Sequence, residues 1–227
     1  MTIFETILHN TLDVAVIPES ISENNYTPLD LSVTNKSLEN ESLGNATDFE
    51  NYIEKQLATN HAKVAYGGYN EERNIYKRST IFKDEQTEER NMHIGLDLWI
   101  KAGTPILAAL EGTVHSFQYN SGFGDYGPTI ILKHQSQEHI FYTLYGHLSM
   151  ESLEGLSVGV NFKKGEQIAT LGAAVVNGDY ASHLHFQVIH DIQKYSGDYP
   201  GVCSKKELAY YLDNCPDPNI LLKIKAK

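Results

Sequence analysis

The chain has 227 residues, enough for one large domain or a domain with an appendage. Hydrophobic residues make up 41% and charged residues 21%, which supports a packed core and argues against wholesale disorder. With 18 Lys+Arg against 29 Asp+Glu the formal net charge is -11, so phosphate backbones are repelled and nucleic acid is a poor partner.

The N-terminus, MTIFETILHNTLDVAV, has no basic n-region, no apolar run of signal-peptide length and no small-residue cleavage site. No stretch approaches the roughly 18 apolar residues of a membrane span. The chain as written is therefore expected in the cytoplasm, unless it is exported by an unrecognised route. Residues 1–46 are rich in Ser, Asn, Thr and Glu, with LDVAVI (12–17) and LDLSV (29–33) as candidate strands. TDFENYIEKQLATNH predicts a helix. Thr47 and Glu50 fit a capping box, and Phe49, Ile53 and Leu57 form one apolar stripe. GGYNEERNIY (67–76) opens on a glycine pair and reads as a loop.

From residue 91 the pattern changes to short β segments separated by Gly, Pro and Asn. They are LDLWI (96–100), PILAAL (105–110), TVHSF (113–117), TIILKH (129–134), IFYTLY (140–145), QIATLG (167–172) and LHFQVI (184–189). This spacing predicts an antiparallel, mainly β domain. A last helix is expected at KKELAYYLDN, with Ser204 as N-cap and Glu207 completing a capping box. CPDPN (215–219) ends it, because proline cannot continue a helix. Cys203 and Cys215 are too few for a disulfide framework, and two free buried thiols are expected. The chain thus divides into an N-terminal extension (1–90, partly irregular with one helix), a β domain (91–190) and a helical tail (191–227) that packs on the core.

Two segments carry the chemistry. In ASHLHFQVI (181–189), strand alternation sends Leu184, Phe186 and Val188 into a core and His183, His185 and Gln187 to the other face. In HIGLDLWI (93–100), Ile94, Leu96, Leu98 and Ile100 share one parity, while His93, Gly95, Asp97 and Trp99 share the other. His93 and Asp97 then lie on one strand face, with Gly95 leaving open space for a metal ion between them. His147, in TLYGHLS, falls at a strand end or in the turn after it. Zinc suits such a set, because catalytic zinc takes three His or carboxylate ligands and keeps a fourth position open. Further histidines beside it can move a proton or steady an oxyanion. Parity alone does not say whether His183 or His185 is the ligand. His9, His61, His115, His134, His139 and His190 show no comparable arrangement and read as ordinary surface or partly buried residues.

The order HxxxD, then YGHL, then HLHFQ resembles the M23 family of zinc metallopeptidases of the lysostaphin type. AGTPILAALEGTV (102–114) and VNFKKGEQIATLG (160–172) resemble two further segments of that family. The likeness covers about residues 90–190. It implies an antiparallel β-sheet or sandwich core of the M23 type, the duplicated-hybrid-motif kind, with a few peripheral helices. It implies His93, Asp97 and His185 as zinc ligands and His147 and His183 as the catalytic pair. It also implies an endopeptidase that cuts peptidoglycan-type stem or bridge peptides by metal-activated water, so the expected partner is a cell-wall peptide. A narrower likeness in YGGYNEERNIY, DYGPTIILKH and CPDPNILL points to an M23-like domain found inside phosphotransferase–aminotransferase fusion proteins. The competing readings are a non-hydrolytic zinc-containing binding module of the same fold in the cytoplasm and a biotinyl- or lipoyl-type carrier. The carrier lacks its modifiable MKM lysine. GGYNEER allows two readings: a surface loop packed on the core, which is the favoured one, and a segment from which Asn70 or a neighbouring Glu could reach the metal as a fourth, displaceable ligand.

Overall fold

The computed structural model describes residues 1–18, 25–41, 43–82, 88–136 and 138–225. The architecture is mainly β. A large sheet runs in the spatial order β1 (Tyr26–Pro28), β2 (Val64–Gly67), β5 (Leu96–Trp99), β12 (His183–Ile189), β9 (His139–Gly146), β8 (Gly127–Ser136), β7 (Gly112–Asn120) and β10 (Asn161–Phe162). β1 pairs with β2 in parallel, and every other neighbouring pair in this sheet is antiparallel. Two small sheets flank it. One pairs β11 (Gln167–Thr170) with β6 (Pro105–Leu107), and the other sets β4 (Arg90–His93) between β3 (Glu71–Glu72) and β13 (Val202–Ser204).

Alternation on β12 holds as the sequence requires. Leu184, Phe186 and Val188 are fully buried in the main core with Leu96, Leu98, Ile130 and Leu132. Burial of each such side chain contributes about 1.5–3 kcal/mol. The opposite face is shared by two smaller clusters. Trp99 and Ala65, level with His183, belong to one that includes Phe49 and Tyr52. Leu144 and Ile131, level with Gln187, belong to one that includes Tyr199, Cys203 and Cys215. Between these two clusters lies the row His185, Asp97, Gly67 and Gly146. Both cysteines are free and buried.

Several sequence expectations need correction. HIGLDLWI is not one strand. β4 ends at His93 and β5 starts at Leu96, in different sheets. The Ile94 amide donates to Gly201 O at 3.0 Å, and the Ile94 side chain enters the Tyr199 cluster while Leu96 and Leu98 face the main core. Among the described residues of 1–90 there are two α-helices where one was expected. α1 (Ile3–Asn10) is capped by a reciprocal Thr2–Glu5 box and buries Phe4 and Leu8. α2 (Ala46–Thr59) begins at Asn45, whose side chain accepts from the Asp48 amide, so the Thr47–Glu50 box does not form. Asn is a strong N-cap, and it starts the helix earlier than Thr47 would. LDVAVI and LDLSV form no strand; the pairing segment is β1, just ahead of Leu29. In the tail, Ser204 does accept from the Glu207 amide, but the helix proper, α3, is Leu208–Asn214. A further short helix, α4 (Asn219–Leu222), follows it. Among the described residues no helix is long and apolar enough to cross a membrane.

Candidate metal centre

The sheet register builds the site. His185 on β12 stands opposite Asp97 on β5. His93, at the end of β4, reaches the same point from the neighbouring small sheet. His93 Nε2 lies 3.0 Å from His185 Nδ1 and 3.3 Å from Asp97 Oδ1, and His185 Nδ1 lies 3.1 Å from Asp97 Oδ1. Each of the three side chains is almost fully buried. His93 and Asp97 thus meet, but from strands of two different sheets rather than from one strand face. The space above Gly95 is not an empty shelf either. A Cβ there would lie 2.3 Å from His185 Cε1, so the absent side chain makes room for the imidazole itself.

The hydrogen-bond partners fix the tautomers. His93 Nδ1 faces Gly68 O at 2.8 Å, and a carbonyl only accepts, so Nδ1–H donates and Nε2 is bare. The Gln187 amide donates to Pro200 O and Cys215 Sγ, which leaves Oε1 to accept from His185 Nε2–H at 3.1 Å. His185 Nδ1 is then bare as well. Two imidazole lone pairs and a carboxylate oxygen converge with no proton among them, which is the donor set of a cation. Tetrahedral zinc with bonds of about 2.0–2.2 Å separates its donors by about 3.3–3.6 Å, a few tenths wider than the triangle observed. His93, Asp97 and His185 thus fit a metal ion, and their ligand atoms lie within 4.8 Å of one another.

His147 and His183 stand beside this triangle with ring centroids 4.1 Å apart. His147 directly follows β9, at φ 60, a left-handed conformation uncommon outside glycine. His147 Nδ1–H donates to Asn177 O at 2.8 Å, and His183 Nδ1–H to Ala181 O at 2.7 Å. Each ring therefore keeps a bare Nε2. His183 stacks on Trp99, with centroids 5.7 Å apart. Burial pushes the His183 and His93 imidazoles down to about 4. Burial and the neighbouring His183 and His185 hold His147 well below the usual imidazole range. All three rings are neutral near pH 7. Burial alone would raise the Asp97 carboxyl, but His93 and Arg73 beside it hold it well below the usual carboxylate range. These groups line a cavity of about 250 Å³ together with Tyr76, Tyr126, Tyr180 and Tyr199.

Of the two readings of GGYNEER, the one that brings Asn70 to the metal centre is not observed. Asn70 is exposed, in the β2–β3 turn at φ 53. Arg73 enters the site instead and pairs with Asp97 at 2.6 Å. Glu71 and Arg73 are two residues apart on an extended segment and so share a face, a pattern visible in NEER. His134, expected at or near the surface, is buried between Glu111 O and Thr143 Oγ1.

Two histidines and an aspartate thus converge on one point of a mainly β fold, with two neutral histidines beside them. Residues 91–196 match the model for peptidase family M23, described as "Peptidase family M23", and this span carries the five side chains His93, Asp97, His147, His183 and His185. A Haemophilus influenzae protein described as an uncharacterized metalloprotease is 33% identical over 95 residues, covering 42% of this chain and 18% of that protein. The chain thus spans less than a fifth of that relative's length. Among solved structures, the catalytic domain of lysostaphin from Staphylococcus simulans is 24% identical, covering 53% of this chain and 80% of that one, with a TM-score of 0.37. A zinc-containing peptidase from Vibrio cholerae is 27% identical, covering 43% of this chain and 27% of that one, with a TM-score of 0.36.

Proposed function

We propose that the chain is a zinc-dependent peptidase of the M23 type, acting on stem or bridge peptides of the peptidoglycan kind. The observation that carries this is the convergence of His93 Nε2, His185 Nδ1 and Asp97 Oδ1, three proton-free donors within 3.3 Å of one another. Zinc bound there would polarise a peptide carbonyl and make water a competent nucleophile near neutral pH. His147 and His183 would do the proton work. Each is neutral, each is oriented by a backbone carbonyl, and each lines the cavity with its Nε2 bare. One accepts the nucleophile's proton, and once protonated it can return it to the leaving amine. The other can steady the negative oxygen of the tetrahedral intermediate only as the imidazolium, with a proton taken from solvent onto Nε2, because its Nδ1–H is engaged by a backbone carbonyl.

The test is turnover of defined muropeptides and glycine-bridged peptides by full-length protein, with metal content measured on the same sample. About one zinc per chain and cleavage abolished by His183→Ala are expected. A protein that takes up no zinc after chelator removal and reloading, or a zinc-loaded protein that cleaves none of these peptides, would refute the reading.

A further inference from the structure

Arg73 lies outside the family-matched span, yet its guanidinium is buried against Asp97. Nη1 donates to Asp97 Oδ2 at 2.6 Å, and Nε pairs with Glu71 Oε2 at 2.5 Å. Glu71 is held in turn, since its Oε1 accepts from the Leu31 amide at 3.2 Å. The guanidinium carbon lies 5.6 Å from the Trp99 ring centroid. Gly68 provides the space, because a Cβ there would come within 1.9 Å of Nη2. A hydrogen-bonded chain therefore runs from Leu31 through Glu71 and Arg73 to Asp97, and ends at the two imidazoles. Burying a guanidinium is costly, and this one is retained at the carboxylate of the donor triangle.

We propose that Arg73 is a positioning residue for Asp97. It occupies Oδ2, so that Oδ1 alone is offered to a cation held with His93 and His185. A carboxylate free at both oxygens can close on a metal in bidentate fashion and take up a position that substrate or water needs. Arg73 prevents that closure. The fork of the guanidinium matters, because it joins Glu71 and Asp97 in one plane, which a lysine ammonium does not reproduce. The inference deepens the peptidase reading and rests on it only for what the cation does; the placement of Asp97 is tested apart from activity.

The experiment loads chelator-treated full-length protein with Co2+ and records the visible absorption band, intense in four-coordinate and weak in five-coordinate sites. The parent is expected to show the intense band. Arg73→Gln is expected to lose it as Oδ2 is released to the metal, and Arg73→Lys to recover part of it. In the zinc protein, kcat of Arg73→Gln should fall about 10–100-fold with KM little changed. A folded Arg73→Gln protein with the parent's cobalt band and the parent's kcat would overturn the proposal and leave Arg73 as a charge partner only. If that variant does not fold, Glu71→Gln gives the same reading at smaller amplitude, and an unchanged band there also overturns it. A parent that binds Co2+ as expected but cleaves no peptide sinks the peptidase reading while the band still decides the role of Arg73.

Discussion

Gly95→Ala probes the centre with one methyl group. The added Cβ would lie 2.3 Å from His185 Cε1 and 2.4 Å from Nε2. Carbon contacts need about 3.5 Å, so the imidazole must retreat by about 1 Å. It has little freedom to do so, because Nε2–H is bonded to Gln187 Oε1 and the ring packs on Tyr126 with centroids 5.0 Å apart. Metal–ligand distances tolerate only about 0.2 Å. His185 Nδ1 would then sit several tolerances out of place. Even outer-shell changes weaken metal binding about 10–100-fold, which is about 1.4–2.8 kcal/mol, and displacing a ligand should cost at least that. The backbone at Gly95 is not left-handed, so the substitution adds no conformational strain of its own. Overpacking should cost the metal-free fold about 1–3 kcal/mol. The assay is zinc affinity by chelator competition, beside thermal unfolding of the zinc-free protein. A folded Gly95→Ala protein that binds zinc as tightly as the parent would show that His185 Nδ1 is not a donor.

His147→Ala should retain zinc and lose turnover by about 10²–10⁴-fold, and steady-state kinetics on metal-quantified protein check it. His134 is held down to about 4 by burial, against an unfolded value of about 6.5, so the unfolded chain binds more protons between those limits. Stability should therefore fall as the pH drops from about 6.5 to 4, by up to about 3 kcal/mol, and His134→Gln should flatten that part of a urea-unfolding series. An unchanged slope would contradict this. Leu184→Ala removes a fully buried side chain from β12 and should cost about 2–5 kcal/mol in chemical denaturation, with the far-ultraviolet spectrum preserved.

Much of the site was legible because alternation is a strong signal on β12, where apolar and polar residues separate cleanly over the six residues 183–188. β7, β8 and β9 were visible for another reason, as short β-branched and aromatic runs between Gly, Pro and Asn; β8 is apolar on both faces through Ile130, Ile131 and Leu132. β1, β3, β10 and β13 have two or three residues each, too few for a period of two to register. His93 and Asp97 meet although they lie in different sheets, because the chain bends at Gly95 between β4 and β5. The shared face of Glu71 and Arg73 is visible in NEER, but the reach of Arg73 to Asp97 is not. Arg73's partners Glu71 and Asp97 are close in space but Asp97 is 24 residues away in sequence, and a charge pair at that separation leaves no local pattern. α1 escaped notice although Thr2 and Glu5 spell out its cap and Phe4 and Leu8 its buried stripe.

The pairing of β2 with β5 has a practical consequence. β2 comes from before residue 91 and covers one side of the strand that bears Asp97. A fragment cut to residues 91–196 would turn β5 into an exposed sheet edge, with its amides and carbonyls open to a strand from another molecule. Leu96, Leu98 and Trp99 would make that edge apolar, the kind that templates aggregation. The stretch that carries the five side chains is therefore not a unit that can be lifted out intact, and biochemical work should keep the residues that precede it.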